Sequence, residues 1–195
     1  MTSVDELFVR PRKIIAIIGM RRVGKTYAVY QLIKQLLARV PPDRIFYLNF
    51  EDERIPRDKA VLSDFTSIMR VRAGKLENAF IFLDEIHEIP EWSRWLFRLY
   101  EREKPVIVLT GSTSKLASWN LPRELRGRGL TYRLFPLRFR EFLRFKGRED
   151  AGDMAEWFRA GILTLLEEYL RFGGLPEVVL TQYSTIPAMR RKHFS

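Results

Sequence analysis

The chain contains no cysteine, which excludes disulfides, thiolate metal sites and cysteine nucleophiles, and fits a reducing compartment. Histidine is nearly absent too: His87 and His193 stand far apart in sequence, so a histidine-built metal site is not expected. No apolar run approaches the roughly 20 residues that span a bilayer. The N-terminal "MTSVDELF" carries acids where a signal peptide carries positive charge. These absences lead to the expectation of a cytoplasmic protein that does not enter a membrane.

What is present is enough apolar material for one core. Of 195 residues, 46% are hydrophobic and 13% aromatic, which suits one domain with a small appendage. The formal charge of +10 favours an anionic partner, whether nucleotide, nucleic acid or membrane surface, without choosing among them. Much of the charge is local, since residues 121–148 hold nine Arg or Lys against two Glu.

Short apolar runs alternate with longer segments of helical period, the rhythm of a parallel sheet covered by helices. Strands are expected at 12–18, 44–50, 79–83, 106–110 and 130–135, and helices at 25–39, 58–73, 91–103 and 114–126. "VPPDR" ends the first helix, because two prolines cannot continue it. After Pro136 the pattern turns helical, and "EVVL" (177–180) reads equally well as strand or helix. The expected division is an α/β core over 1–140, followed over 141–195 by a helical lid or the start of a further region.

"GMRRVGKT" (19–26) satisfies G-x-x-x-x-G-K-[ST], with a strand before it and a helix after it. Glycines allow the backbone to turn tightly so that successive N–H groups point at phosphate oxygens, and the helix adds its positive N-terminal dipole. Gly19, Met20, Arg21, Arg22, Val23, Gly24, Lys25, Thr26 and Tyr27 are the expected nucleotide contacts. Lys25 would reach the β and γ phosphates, and the Thr26 hydroxyl would bind Mg²⁺. Arg21 and Arg22 read either as phosphate or partner contacts, or as solvated loop charge.

A second motif supports the first. "AFIFLDEIHEI" is an apolar strand ending in Asp84 and Glu85, where one carboxylate can hold the metal and the next can polarise a water. Asp84 is assigned to the metal and Glu85 to the general base. "VIVLTGSTS" would deliver Thr110 and Ser112 to the same edge, either to sense the γ phosphate or to cap the next helix. "DEIH" also matches a motif of superfamily 2 helicases, but 195 residues do not hold their two recombinase-like domains. His87 reads as a polar residue opening a loop. Asn49, Glu51 and Asp52 read as turn caps, with contact to a metal's water shell as the alternative.

These stretches, with "YLNFED" (47–52), "FLDEIHEIPEWSRWL" (82–96), "LTGSTSKL" (109–116), "LRGRGLTYRLFPLRFREFL" (125–143) and "YLRFGGLPEVVL" (169–180), resemble the prokaryotic, largely archaeal, AAA-type ATPases of the ATPase-plus-DUF4143 group within the P-loop AAA+ superfamily. The resemblance implies an additional-strand P-loop fold with sheet order 5-1-4-3-2. It implies ATP as ligand and Walker A and B roles on Lys25, Thr26, Asp84 and Glu85. It also implies that Arg128 stands where such ATPases place an arginine that approaches a neighbour's nucleotide; a surface arginine in a basic run is the other reading. The usual C-terminal domain of the family is expected to be lacking.

The aromatic residues of 121–148 (Tyr132, Phe135, Phe139, Phe142, Phe145) have the spacing of core positions, which leaves the arginines available for DNA. The expected function is Mg²⁺-dependent ATP binding and hydrolysis, coupled to DNA, a protein partner or a further copy of the chain. The alternative is a nucleotide-gated DNA- or protein-binding module, switched between its ATP and ADP forms, with little turnover. No guanine-reading N-K-x-D is present, which favours ATP.

Overall fold

A computed structural model describes residues 4–8, 13–112, 127–148 and 156–185. β1 (Ile14–Gly19) is buried along its whole length, as its unbroken apolar sequence requires of a strand covered on both faces. α1 (Lys25–Leu36) follows, then β2 (Ile45–Asn49), α2 (Ala60–Ala73), β3 (Phe80–Asp84), α3 (Trp92–Glu103), β4 (Val106–Ser112) and β5 (Gly129–Leu134). The five strands form one parallel sheet in the order β2-β3-β4-β1-β5. That is the expected 5-1-4-3-2 order, read from the other edge.

Alternate strand residues divide the core into two layers, as a period of two demands. Ile14, Ala16, Ile81, Leu83, Ile107 and Leu109 pack with α2 and α3 through Leu62, Phe65, Met69, Trp95, Leu96 and Leu99. Ile15, Ile17, Phe80, Phe82, Val106 and Val108 pack with α1 through Val29, Leu32 and Leu36. The Trp95 indole N–H donates to Thr66 Oγ1 at 3.0 Å, satisfying its polar edge inside this packing.

β3 and β4 run to Asp84 and Ser112, one and two residues past the expected 83 and 110, because a ladder partner on one side holds each of these polar residues in register. Thus Gly19 stands opposite Ser112, and Asn49 opposite Asp84. The helix expected at 114–126 lies outside the described residues.

The contacts divide the chain into two units, one from the described residues of Met1–Arg21 and Lys25–Leu134, the other from those of Arg22–Gly24 and Phe135–Ser195. The second unit contains α4 (Phe139–Phe145), α5 (Glu156–Phe172) and α6 (Pro176–Thr185), so "EVVL" is helical. Phe139, Phe142 and Tyr169 pack ring against ring, with centroids 5.3 to 6.2 Å apart. Within this unit Lys146 is drawn inward, 2.6 Å from Glu168 Oε1. The core reading of the aromatic residues in this part of the chain is corrected at Phe135 and Phe145, which are exposed: Phe135 lies just past an edge strand and Phe145 ends a short helix, so neither is enclosed.

Candidate functional site

The carboxyl ends of β1, β3 and β4 bring Gly19, Asp84 and Ser112 to one edge of the sheet, and the first turn of α1 places Lys25 there. The Lys25 side chain is only 5% exposed. Its ammonium donates to the carbonyl oxygen of Met20 at 3.2 Å and lies 3.5 Å from that of Gly19. It also pairs with Glu85 Oε1 at 3.1 Å, and the Glu85 side chain is 9% exposed. An isolated buried charge is costly, so each of these two groups depends on the other.

Glu85 occupies the left-handed region at φ 52°, ψ 40°, an uncommon conformation for a residue with a side chain. The turn is held by Thr110, whose hydroxyl accepts the Glu85 N–H at 3.0 Å and donates its own hydrogen to Asp84 Oδ1. The other Asp84 oxygen accepts the Tyr47 hydroxyl at 3.1 Å, and the Tyr30 hydroxyl lies 3.3 Å from that of Tyr47. Burial pushes the Tyr47 phenol above the ordinary tyrosine range, and its hydrogen bond to Tyr30 and the Asp84 charge push it further.

Glu85 Oε2 is buried and accepts no hydrogen bond. It faces His87 Nδ1 at 3.3 Å, and His87 Nε2 lies 3.2 Å from Glu88 Oε1. Arg57 closes the series at 3.2 Å from Glu88 Oε2. A chain of polar contacts therefore runs from Lys25 through Glu85, His87 and Glu88 to the exposed Arg57.

The remaining expected residues are placed as follows. Ser112 is buried, Val23 is buried, Thr26 is half-buried, and Met20 and Tyr27 are exposed. Arg21 pairs with Glu51 at 2.9 Å. In the second unit, Arg22 pairs with Glu177 at 3.3 Å, and Gly24 has φ +98°, a conformation that requires glycine. Asn49 and Asp52 accept the N–H groups of Glu51 and Arg54, as capping requires.

Arg128 is not among the residues brought together. It precedes β5, and its carbonyl accepts the N–H of Ile14 at the start of β1. It therefore stands at the amino edge of the sheet, a strand length of about 20 Å from the carboxyl edge. Its Nε donates to Glu101 at 2.8 Å, and its guanidinium lies 5.2 Å from the centre of the Phe97 ring.

Sequence reasoning missed Tyr47, Tyr30 and the part played by His87. The spacing of "YLN" to the end of β2 was a usable signal for Tyr47, and "DEIHE" was one for His87. Tyr30 gave none, because it reaches Tyr47 from a different element.

The sequence matches the family described as "AAA domain" over residues 11–143. An uncharacterized protein of Methanocaldococcus jannaschii is 34% identical over 175 residues, covering 90% of this chain and 38% of that protein. One of Haemophilus influenzae is 30% identical over 164 residues, covering 83% of this chain and 39% of that protein. The chain thus spans well under half the length of these relatives. Among solved structures, the Aeropyrum pernix Orc1 protein in complex with DNA is similar at a TM-score of 0.57 and 17% identity, over 91% of this chain and 54% of that one. No helix among the described residues is long and apolar enough to cross a membrane.

Proposed function

Because the chain belongs to the AAA domain family of P-loop ATPases, we propose that it binds and hydrolyses ATP at the carboxyl edge of its sheet, with residues 1–140 as the ATPase core and 141–195 as a helical lid or the start of a further region. The observation that carries the proposal is the buried Lys25–Glu85 pair beside Asp84 and Thr110. Phosphate oxygens would take the place of the Met20 and Gly19 carbonyl oxygens as acceptors at this buried ammonium. Residues 19–27 follow the phosphates, with Gly24 supplying the turn. Glu85 Oε2, buried and accepting no hydrogen bond, is the atom that takes the proton of the attacking water. Thr110 is a positioning residue that holds Asp84 and the Glu85 backbone, and Ser112, the register partner of Gly19, lies at the same edge.

Asp84 and the Thr26 hydroxyl fit Mg²⁺. Among the described residues no cluster of three or more His, Asp or Glu forms a metal cage, and Mg²⁺ characteristically uses one or two protein oxygens together with phosphates and water. When bound, it would neutralise phosphate charge. Arg128 stands at the amino edge of the sheet, away from the carboxyl edge of its own chain, so a role as an arginine finger belongs to an assembly in which it meets a neighbour's site.

The test is steady-state ATP hydrolysis with Mg²⁺, paired with nucleotide binding. Glu85→Gln should bind nucleotide and lose turnover, and Lys25→Ala should lose both. Turnover that survives Glu85→Gln would sink the assignment of the base.

A second reading, a nucleotide-gated DNA-binding module with little turnover, is favoured by the exposure of Arg133 in the first unit and of Arg138, Arg140, Arg144 and Arg148 in the second. Phosphate contacts of this kind make affinity fall with salt. DNA affinity that is salt-dependent and differs between ATP and ADP would favour this reading; affinity indifferent to nucleotide would reject it.

A further inference from the structure

We propose that His87 is a positioning residue for Glu85, an inference that rests on the reading of Glu85 as the base. The geometry is specific. His87 lies two residues beyond Glu85 across a turn whose first residue is left-handed, which brings the imidazole back alongside the carboxylate. Nδ1 stands 3.3 Å from Glu85 Oε2, and Nε2 stands 3.2 Å from Glu88 Oε1. The side chains are 9%, 9% and 12% exposed for His87, Glu85 and Glu88. A buried ring anchored at one nitrogen is a fixed wall against which the Glu85 carboxylate rests.

The two oxygens of Glu85 are thereby treated differently. Oε1 is held by Lys25 at 3.1 Å, and Oε2 is met by the ring. A carboxylate with a single partner can rotate about its terminal torsion, which is broad. Contacts on both sides fix that rotation, and a base is effective only when its oxygen is held within reach of the water it deprotonates. Glu88 does not reach the reacting atoms. It fixes His87 and is itself fixed by Arg57 at 3.2 Å, so the support for the base extends to the surface of the first unit.

The role differs from simple packing in its kinetic signature. His87→Ala should lower kcat about tenfold or more, while KM and the dissociation constant for ATP change by no more than about twofold. His87→Asn keeps a polar atom where Nδ1 stands, against Glu85 Oε2, and should recover much of kcat. His87→Gln keeps one where Nε2 stands and should recover little. In a Glu85→Gln background, His87→Ala should cause no further loss.

An unchanged kcat in His87→Ala would overturn the inference, and so would equal losses in the Asn and Gln variants or a change confined to KM. If Glu85→Gln still turns over, it is the assignment of the base that fails. Should His87→Ala not fold, the Asn and Gln pair carries the comparison. The Glu85→Gln/His87→Ala cycle is also measured by denaturant unfolding, which needs no turnover: coupling is expected, and additivity overturns the inference.

Discussion

The Thr110 hydroxyl donates to Asp84 Oδ1 and accepts the N–H of Glu85 from 3.0 Å. One buried side chain of β4 thus fixes both acids at the end of β3. Thr110→Val keeps the shape and removes both bonds, leaving a buried N–H without its acceptor. The expected cost is about 2 kcal/mol in denaturant unfolding, whereas Thr110→Ser should cost less than about 1 kcal/mol, because the hydroxyl is retained. Equal costs for the two variants would mean that the hydroxyl contributes no more than the methyl group.

Lys25 and Glu85 are mutually dependent in the same way. With side chains 5% and 9% exposed, removing one partner leaves an uncompensated buried charge. Lys25→Met should destabilise by about 3 kcal/mol or more. Adding Glu85→Gln to that variant should restore part of the loss, and a double variant no more stable than Lys25→Met would contradict the pairing.

Tyr47 makes alkaline stability a reporter of the site. Burial, Tyr30 and the Asp84 charge raise its phenol above the ordinary range, so the folded chain keeps a proton that the unfolded chain releases near pH 10. The contribution is therefore fully present below about pH 10 and is lost as pH rises above it. Unfolding measured across that range should fall less steeply in Tyr47→Phe than in the wild-type chain; parallel curves would refute the shift.

Two glycines of α5 and its end behave oppositely. A Cβ on Gly174 would collide with the carbonyl oxygen of Leu137 and press on Tyr169, whereas one on Gly161 meets nothing within 4 Å. Gly174 O also accepts the Leu137 N–H at 2.7 Å. Gly174→Ala should cost about 1–3 kcal/mol, and Gly161→Ala should gain roughly 0.5 kcal/mol from helix propensity. Thermal melts of the two variants shifting in the same direction would argue against this.

Much of the fold was legible because its strands announce themselves. "IIAII", "FIFLD" and "VIVLT" are apolar on both faces, a pattern that belongs to a buried parallel sheet. The loop between Gly19 and Lys25 was legible because glycine and lysine are required there by backbone geometry and charge. The aromatic residues after Tyr132 were legible only in part: periodicity marks a face, but not whether anything covers it, and Phe135 and Phe145 are exposed.

By itself, the sequence determined the strands of the sheet and the chemical types gathered at its carboxyl edge, since these follow from apolar period, turn chemistry and motif spacing, whereas the order of the strands was implied by the family resemblance. Tertiary structure alone decided which oxygen meets which partner. Tyr47 reaches Asp84 from a neighbouring strand, Thr110 reaches it from the other side, and His87 turns back to Glu85 only because the residue between strand and turn is left-handed. Such contacts are set by distances of a few ångströms between separate elements, and a linear pattern does not encode them.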